Sequence, residues 1–318
     1  MSETAADSKI DLVGLFWSPL AHSVKFADLP KVLGDPTAPD AQNVPVQPVL
    51  DEPKDYLRPN GEIYVPRKLQ VGEVTMQDVT FIRQSLDAGL TVLLYGEPGC
   101  GKTALVEAAF SDELVTVQGT IETDSADFVG SWTQQPDGTY LWVDGPLPHA
   151  METGKKLLVD EIALIDPRVM AVVYGVMDGR GELTVTQNPL RGVVKASPGF
   201  QVVGACNPNV PGAQMSDALL SRFAIHVEMT TDWALAPKLG CGSKIIQVCK
   251  SLNDKYRKSE MTQAPQLREM IQYTAVAAKF GDAFALRNFL SQIRPENQPV
   301  AKAVIEAVFG TTVTGLVI

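Results

Sequence analysis

The run Gly96-Glu97-Pro98-Gly99-Cys100-Gly101-Lys102-Thr103 has the spacing G-x-x-x-x-G-K-T. Those residue types suit a polyphosphate. Glycines let backbone N–H groups crowd around phosphate oxygens, and the positive end of a following helix adds to the attraction. Lys102 would reach the β- and γ-phosphates, and the Thr103 hydroxyl would sit on Mg²⁺. Gly96, Glu97, Pro98, Gly99, Cys100, Gly101, Lys102, Thr103 and Ala104 are therefore the candidate triphosphate-binding residues. A glycine turn that binds nothing is the alternative reading. Cys100, close to a helix N-terminus, is either an oxidation-sensitive thiol of lowered pKa or a small residue the loop tolerates.

Three further stretches carry candidate chemistry. In Lys156-Leu157-Leu158-Val159-Asp160-Glu161-Ile162 an apolar run ends in two acids. Asp160 would hold the metal with Thr103, and Glu161 would polarise an attacking water as general base. In Val202-Val203-Gly204-Ala205-Cys206-Asn207-Pro208-Asn209, the amide of Asn207 can orient that water without adding charge, and Pro208 biases Asn207 toward extended backbone. A turn-forming Asn-Pro-Asn is the alternative. In Ser216-Asp217-Ala218-Leu219-Leu220-Ser221-Arg222-Phe223, Arg222 is either a surface ion pair or a cation that completes the site of a neighbouring subunit. His22, His149 and His226 are too scattered for a metal site.

These residues need elements to hold them. Thr91-Val92-Leu93-Leu94-Tyr95 reads as a buried strand before the loop, and Ala104–Phe110 as the helix after it. Strands are predicted at Leu114–Val117, Lys156–Val159, Gln201–Ala205 and Ala224–Met229, with helices at Met76–Ala88 (N-cap Thr75) and Pro167–Met177. Strands interleaved with helices imply a parallel sheet covered on both faces. Two hairpins are predicted, one around Pro136-Asp137-Gly138 and one around Asn188-Pro189. Beyond Pro237 the pattern is helical, over Lys244–Tyr256, Pro265–Phe280, Asp282–Ile293 and Val300–Phe309. Six prolines at or near Lys31–Asp55 predict extended chain there. The apolar stretch Leu12–Trp17 is expected to dock on something. The expected organisation is a largely irregular extension over 1–70, a nucleotide-binding domain over 71–234 and a helical domain over 235–318.

Composition narrows the class. The 318 residues are 45% apolar and 20% charged, with four cysteines in no metal-binding spacing. No run of 18 apolar residues is present, and the polar, acidic N-terminus lacks a signal-peptide layout. A cytoplasmic location is expected. A net charge of −10 argues against dominant non-specific nucleic-acid binding. From Asp232 onward the sign reverses, with 11 Lys and Arg against 7 Asp and Glu. Such a run is a solvated helix face or a surface that meets an acidic neighbour.

Together Gly96–Thr103, Leu157–Glu161 with Ile162 and Asp166-Pro167, Asn207, and Leu219 through Phe223 resemble the AAA+ ring ATPases. Within them the likeness is to the MoxR branch, including the cobalt-chelatase motor subunit and the gas-vesicle and rubisco-activating relatives, and it covers about Asn60 to Arg294. Arg58-Pro59-Asn60-Gly61-Glu62-Ile63-Tyr64-Val65-Pro66-Arg67 is similar to the run before the loop in the cobalt-chelatase relatives. The resemblance implies a P-loop three-layer αβα core with a parallel sheet, followed by a small all-α lid. It implies ATP and Mg²⁺ as ligands, and a homo-oligomeric ring, hexameric in the family. It makes Arg222 the cation that acts between subunits. In Phe284-Ala285-Leu286-Arg287-Asn288, Arg287 resembles the family's lid arginine, with Arg294 as fallback; Leu286 stands where the family often has proline. By resemblance the hairpins project toward a pore or ring face, so that Trp132, Tyr140 and Trp142 either grip a substrate chain or pack against their own domain.

The expected function is Mg²⁺-dependent ATP hydrolysis that remodels a partner protein or assists metal or cofactor insertion. The family resemblance implies a partner with a von Willebrand A-type domain. Residues 1 to about 70 are the expected place for specificity, because the short stretch Thr311–Ile318 offers no evident client-binding domain. The alternatives are a nucleic-acid-stimulated motor, helicase-like or of a phage type, and a nucleotide-gated scaffold. A simple P-loop kinase leaves Arg222 and the hairpins without a purpose.

Overall fold

The computed structural model describes residues 56–71 and 74–316. The chain divides into one unit over Met1–Pro48, outside those residues, and a second over Val49–Ile318. The expectations for Leu12–Trp17 and Lys31–Asp55 fall outside the described residues.

The second unit begins with two short antiparallel pairings, β1 (Tyr56–Leu57) with β2 (Ile63–Tyr64), and β3 (Lys68–Val71) with β4 (Val74–Gln77). Helix α1 spans Asp78–Asp87. The prediction of a helix from Met76 capped by Thr75 is therefore corrected. Met76 pairs with Leu69 and Thr75 with Gln70 across the ladder, and the Thr75 hydroxyl bonds the Gln70 side chain at 2.7 Å. Asp78 fixes the helix start instead. Its buried carboxylate accepts from the Tyr64 hydroxyl and, at 3.0 Å, from the Arg67 N–H. Burial raises the Asp78 pKa, while those bonds act against the rise. Within the segment expected to be largely irregular, three short strands, Tyr56–Leu57, Ile63–Tyr64 and Lys68–Val71, thus alternate with turns.

The central sheet has five strands, β5 (Val92–Tyr95), β6 (Leu114–Gln118), β9 (Lys156–Asp160), β12 (Gln201–Cys206) and β13 (Ile225–Glu228). Their order is β13-β5-β12-β9-β6, and every pairing is parallel. A strand buried on both faces needs apolar side chains at every position. In β9 the alternate residues Leu157 and Val159 enter one core, and Leu158 enters the other. Strand β12 divides likewise, with Val202 on one side and Val203 and Ala205 on the other.

Helices cover both faces. On one side lie α1 and α2 (Lys102–Phe110). On the other lie α3 (Ser125–Val129), α4 (Pro146–Thr153) and α5 (Pro167–Met177). The first predicted hairpin, β7 (Gly130–Gln134) with β8 (Tyr140–Asp144), separates α3 from α4. The second, β10 (Glu182–Thr184) with β11 (Val193–Lys195), precedes β12. The hairpins are tied together. Trp132 Nε1 donates to the Gln187 carbonyl at 3.2 Å, and Arg191 meets both Asp144 (2.9 Å) and Glu152 (2.6 Å). The Arg191 guanidinium holds the Asp144 carboxyl below its usual range, against a burial effect of opposite sign.

After the short α6 (Asp217–Leu220) and β13, four helices gather round a separate core: α7 (Ser243–Arg257), α8 (Leu267–Phe280), α9 (Asp282–Gln292) and α10 (Gln298–Phe309). Tyr273 and Phe289 meet edge to face at 6.2 Å inside it. No helix among the described residues is long and apolar enough to cross a membrane.

Gly204 in β12 is a point of close packing. A Cβ there would lie 2.8 Å from Phe223 Cζ and 2.9 Å from Leu93 Cδ1. Gly204→Ala is expected to destabilise the fold by about 1–3 kcal/mol through overpacking. Urea unfolding followed by circular dichroism would measure it, and an unchanged midpoint would contradict this packing.

Candidate functional site

Three adjacent strands, β5, β12 and β9, end at one edge of the sheet, in register through Cys206 opposite Tyr95 and Gly204 opposite Val159. Open parallel sheets bind ligands at the carboxyl ends of their strands. Three of the four candidate stretches lie at this edge.

The loop after β5 turns at Gly96 (φ 149°), where an added Cβ would overlap the Met229 carbonyl oxygen. Gly101 (φ 95°) stands at the N-terminus of α2, with the Arg67 guanidinium over it. Lys102 is buried. Its Nζ donates to the carbonyls of Gly96 (2.9 Å) and Glu97 (3.1 Å), and no ion pair forms at it among the described residues. A buried ammonium without a counter-charge costs several kcal/mol, on the order of the desolvation of one ion. An arriving anion relieves that cost.

The Thr103 hydroxyl donates to Asp160 Oδ2 at 2.7 Å, and Asp160 Oδ1 accepts from the Glu161 N–H at 2.9 Å. Asp160 is itself buried at the end of β9. Glu161 is left-handed (φ 49°, ψ 37°), which costs a non-glycine residue about 1–3 kcal/mol. The strain turns the chain abruptly into the Ile162–Leu164 turn, whose Ile162 is buried. A hydroxyl and a carboxylate are hard oxygen donors. Among the described residues no group of three or more His, Cys, Asp or Glu side chains is placed to hold a metal ion by itself. Such a donor set fits Mg²⁺, which keeps several waters and takes further oxygens from bound phosphate.

Asn207 is buried just past β12, and its Oδ1 accepts from the Asn209 N–H at 3.0 Å. Beside it, burial pushes the Cys206 thiol up to about 11, with Lys102 pulling the other way. Cys100 is also fully buried, packed among Val92, Leu105 and Val106. Its thiol is closed to reagents in this conformation, which corrects the oxidation-sensitive reading.

Arg222 stands apart from this group. Its guanidinium lies 2.9 Å from Asp178 and over the Tyr174 ring at 5.8 Å, and none of its contacts among the described residues is with Gly96–Thr103. Arg287 donates to the Gly315 carbonyl at 3.3 Å, and its Nε is buried without a hydrogen-bond partner. Arg294 is exposed. The structure does not bring either arginine into contact with the loop. The arginine of the helical domain that lies against the loop is Arg268, exposed on the first turn of α8, whose Cβ would lie 2.9 Å from a Cβ at Gly99. Arg67, whose guanidinium donates to the carbonyls of Cys100 and Thr230, was equally unforeseen. Trp142 packs on the first core and meets Trp132 edge to face at 5.6 Å, while Tyr140 is exposed. His226 is bound to the carbonyls of Leu220 and Phe223, a structural role.

A cavity of about 430 Å³ opens next to the loop, lined by Arg67, Phe81, Leu105, Met229 and Trp233.

Residues 91–223 match the AAA domain family, dynein-related subfamily. The matched stretch takes in the glycine loop, Asp160 and Glu161, Asn207 and Arg222, and ends before the helical domain. An uncharacterized protein of Staphylococcus haemolyticus is 36% identical over 143 residues, 42% of this chain and 53% of that protein. Another, from Staphylococcus aureus strain USA300, is 35% identical over 152 residues, 45% of this chain and 57% of its own length. The chain therefore spans little more than half of these relatives. A crystal structure of a proposed ATPase from Cytophaga hutchinsonii covers 72% of this chain and 79% of its own, at 14% identity and a TM-score of 0.41.

Gly96→Ala tests the loop. Displacing it by overpacking is expected to weaken binding of a fluorescent ATP analogue about 5- to 150-fold, measured by anisotropy titration. Unaltered affinity would show that the loop does not need this turn.

Proposed function

We propose that this chain is a Mg²⁺-dependent ATPase that assembles into a ring, hexameric as its AAA+ resemblance implies, and uses hydrolysis to remodel a partner protein or assist metal or cofactor insertion. The observation that carries the nucleotide reading is Lys102, a buried ammonium facing only neutral acceptors inside a glycine loop. A triphosphate supplies the missing negative charge. The apolar cavity beside Leu105 and Phe81 suits the base.

The chemistry follows from the groups at the strand ends. Lys102 and the loop N–H groups hold the β- and γ-phosphates. Thr103 and Asp160 would hold Mg²⁺, which would supply charge neutralisation at the phosphates. Glu161 takes a proton from the attacking water, and Asn207 orients that water without competing for the proton. Arg222, tied to Asp178 away from its own loop, acts on the phosphates of a neighbouring subunit, where its planar fork stabilises charge in the transition state. The lid cation nearest the loop is Arg268 rather than Arg287, so Arg268 is the better choice for following the nucleotide state within one subunit. Ring size, the client and a von Willebrand A-type partner rest on the resemblance alone.

Glu161→Gln is expected to keep ATP binding and to lower kcat about 100-fold or more, the scale of a lost general base. Arg222→Ala is expected to cost about 1000-fold in kcat with binding nearly intact. Mixing the two variants should restore part of the phosphate release, because some interfaces then pair an intact Glu161 with an intact Arg222. Absence of rescue at every ratio would remove Arg222 from the interface. Full activity from a species that light scattering shows to be monomeric would remove the ring.

A further inference from the structure

Glu97 touches more of the molecule than a loop residue needs to. Its backbone carbonyl accepts from Lys102 Nζ at 3.1 Å. Its carboxylate oxygen Oε1 accepts from Asn209 Nδ2 at 3.0 Å and, at 3.4 Å, from the Tyr256 hydroxyl. Asn209 belongs to the turn after β12, and its own N–H holds Asn207 Oδ1 at 3.0 Å. Tyr256 lies in the last turn of α7, in the helical domain. One carboxylate oxygen therefore joins the glycine loop, the strand end that presents Asn207, and the helical domain. Asn209 and Tyr256 share no hydrogen bond with each other among the described residues, so Glu97 is their common contact.

We propose that Glu97 is a positioning residue that couples the placement of the helical domain to the orientation of Asn207. The proposal rests on the nucleotide-site reading above. Its physical basis is the neighbouring Pro98, which restricts Glu97 to extended backbone and makes the Glu97-Pro98 segment stiff. When a triphosphate draws Lys102 away from the Glu97 carbonyl, the segment loses that tether and shifts as one piece. The carboxylate moves with it and draws on Asn209 and Tyr256 together. Glu97 also raises the Tyr256 pKa, the nearby negative charge being the first cause, so the phenol stays a neutral donor. Charge-assisted hydrogen bonds are stronger than neutral ones, which makes a half-buried carboxylate an effective junction.

The test is a set of substitutions at three residues. Tyr256→Phe and Asn209→Ala should each lower kcat about 3- to 10-fold, the scale of one hydrogen bond, while KM for ATP changes less than about 2-fold. If both act through Glu97, the double variant should fall little further than the worse single variant. In a Glu97→Ala background neither substitution should have an effect, and Glu97→Gln, which keeps a neutral acceptor, should recover part of kcat. Effects that multiply, or that persist without Glu97, would overturn the coupling.

Hydrogen exchange without nucleotide gives a readout independent of turnover. Glu97→Ala should speed exchange both in residues 243–257 and in residues 207–215, whereas unchanged exchange in both segments would refute the junction. A wild-type protein that neither binds nor hydrolyses ATP would defeat the nucleotide-site reading alone, and the exchange result would still decide this one. Tyr256→Phe removes only one hydroxyl, so the same exchange comparison stands on it should Glu97→Ala fail to fold.

Discussion

The parallel register of β5, β12 and β9 is the constraint on which the site depends. Parallel strands bring their carboxyl ends to the same edge, and here three neighbours each deliver a different group: the glycine loop, Asn207, and the Asp160–Glu161 pair. A slip of one residue would turn the side chains of a strand to the opposite face. Both faces of β9 and β12 are filled by separate cores, so a slip would misplace apolar side chains on either side. The hydrogen bond from Thr103 to Asp160 at 2.7 Å is the consequence, because it spans the helix after one strand and the end of another.

Around that edge the molecule tolerates two local costs, a buried cation bonded only to neutral acceptors and a glutamate in left-handed backbone. Each is of a size that a stable fold of this kind can carry, since net stability is what remains when large favourable and unfavourable free energies nearly cancel. Both costs sit at the strand ends where a ligand would arrive. The Lys102 cost falls when an anion binds. The Glu161 strain is held by Ile162, which is anchored in the core, and by the bond from the Glu161 N–H to Asp160. The side chain following a strained residue is thus the anchor, which leaves the Glu161 carboxylate at the open end of the sheet.

Much of this was legible in the chain because the relevant signals are local. A glycine loop between an apolar strand and a helix needs no distant partner to be recognised, and Asp160 and Glu161 follow their strand directly. The two hairpins were legible for the same reason, from turn residues between short strands. What failed was decided at a distance. Thr75 and Met76 read as a helix start because Lys68–Val71 lies outside any local window, yet pairing with that strand fixed their conformation. The contact of Arg268 with the loop was not legible for a similar reason. Phe284–Asn288 resembles a family motif, but which arginine meets the loop depends on how the helical core packs against the sheet domain. That packing brings forward Gln266 and Arg268 at the start of α8, and leaves Arg287 at the Gly315 carbonyl. Glu97 was counted as a loop residue, and its links to Asn209 and Tyr256 bridge 112 and 159 positions of sequence.

The contact between Arg222 and Asp178 bears on whether such an arginine can serve a neighbour. About a third of each side chain remains exposed, and exposed ion pairs contribute roughly 0–1 kcal/mol because solvent screens them. Breaking the pair is therefore cheap. The planar guanidinium also lies over the Tyr174 ring, a contact that limits its rotamers without neutralising its charge. An arginine held loosely by a carboxylate and oriented by an aromatic face is pre-positioned yet releasable. A deeply buried pair would hold the cation too tightly to let it go, since leaving its carboxylate buried and unpaired would cost several kcal/mol, of order 3–5. A fully solvated arginine would lose more conformational entropy on reaching a phosphate. Arg222, about a third exposed, falls between those limits, as the proposed role between subunits requires.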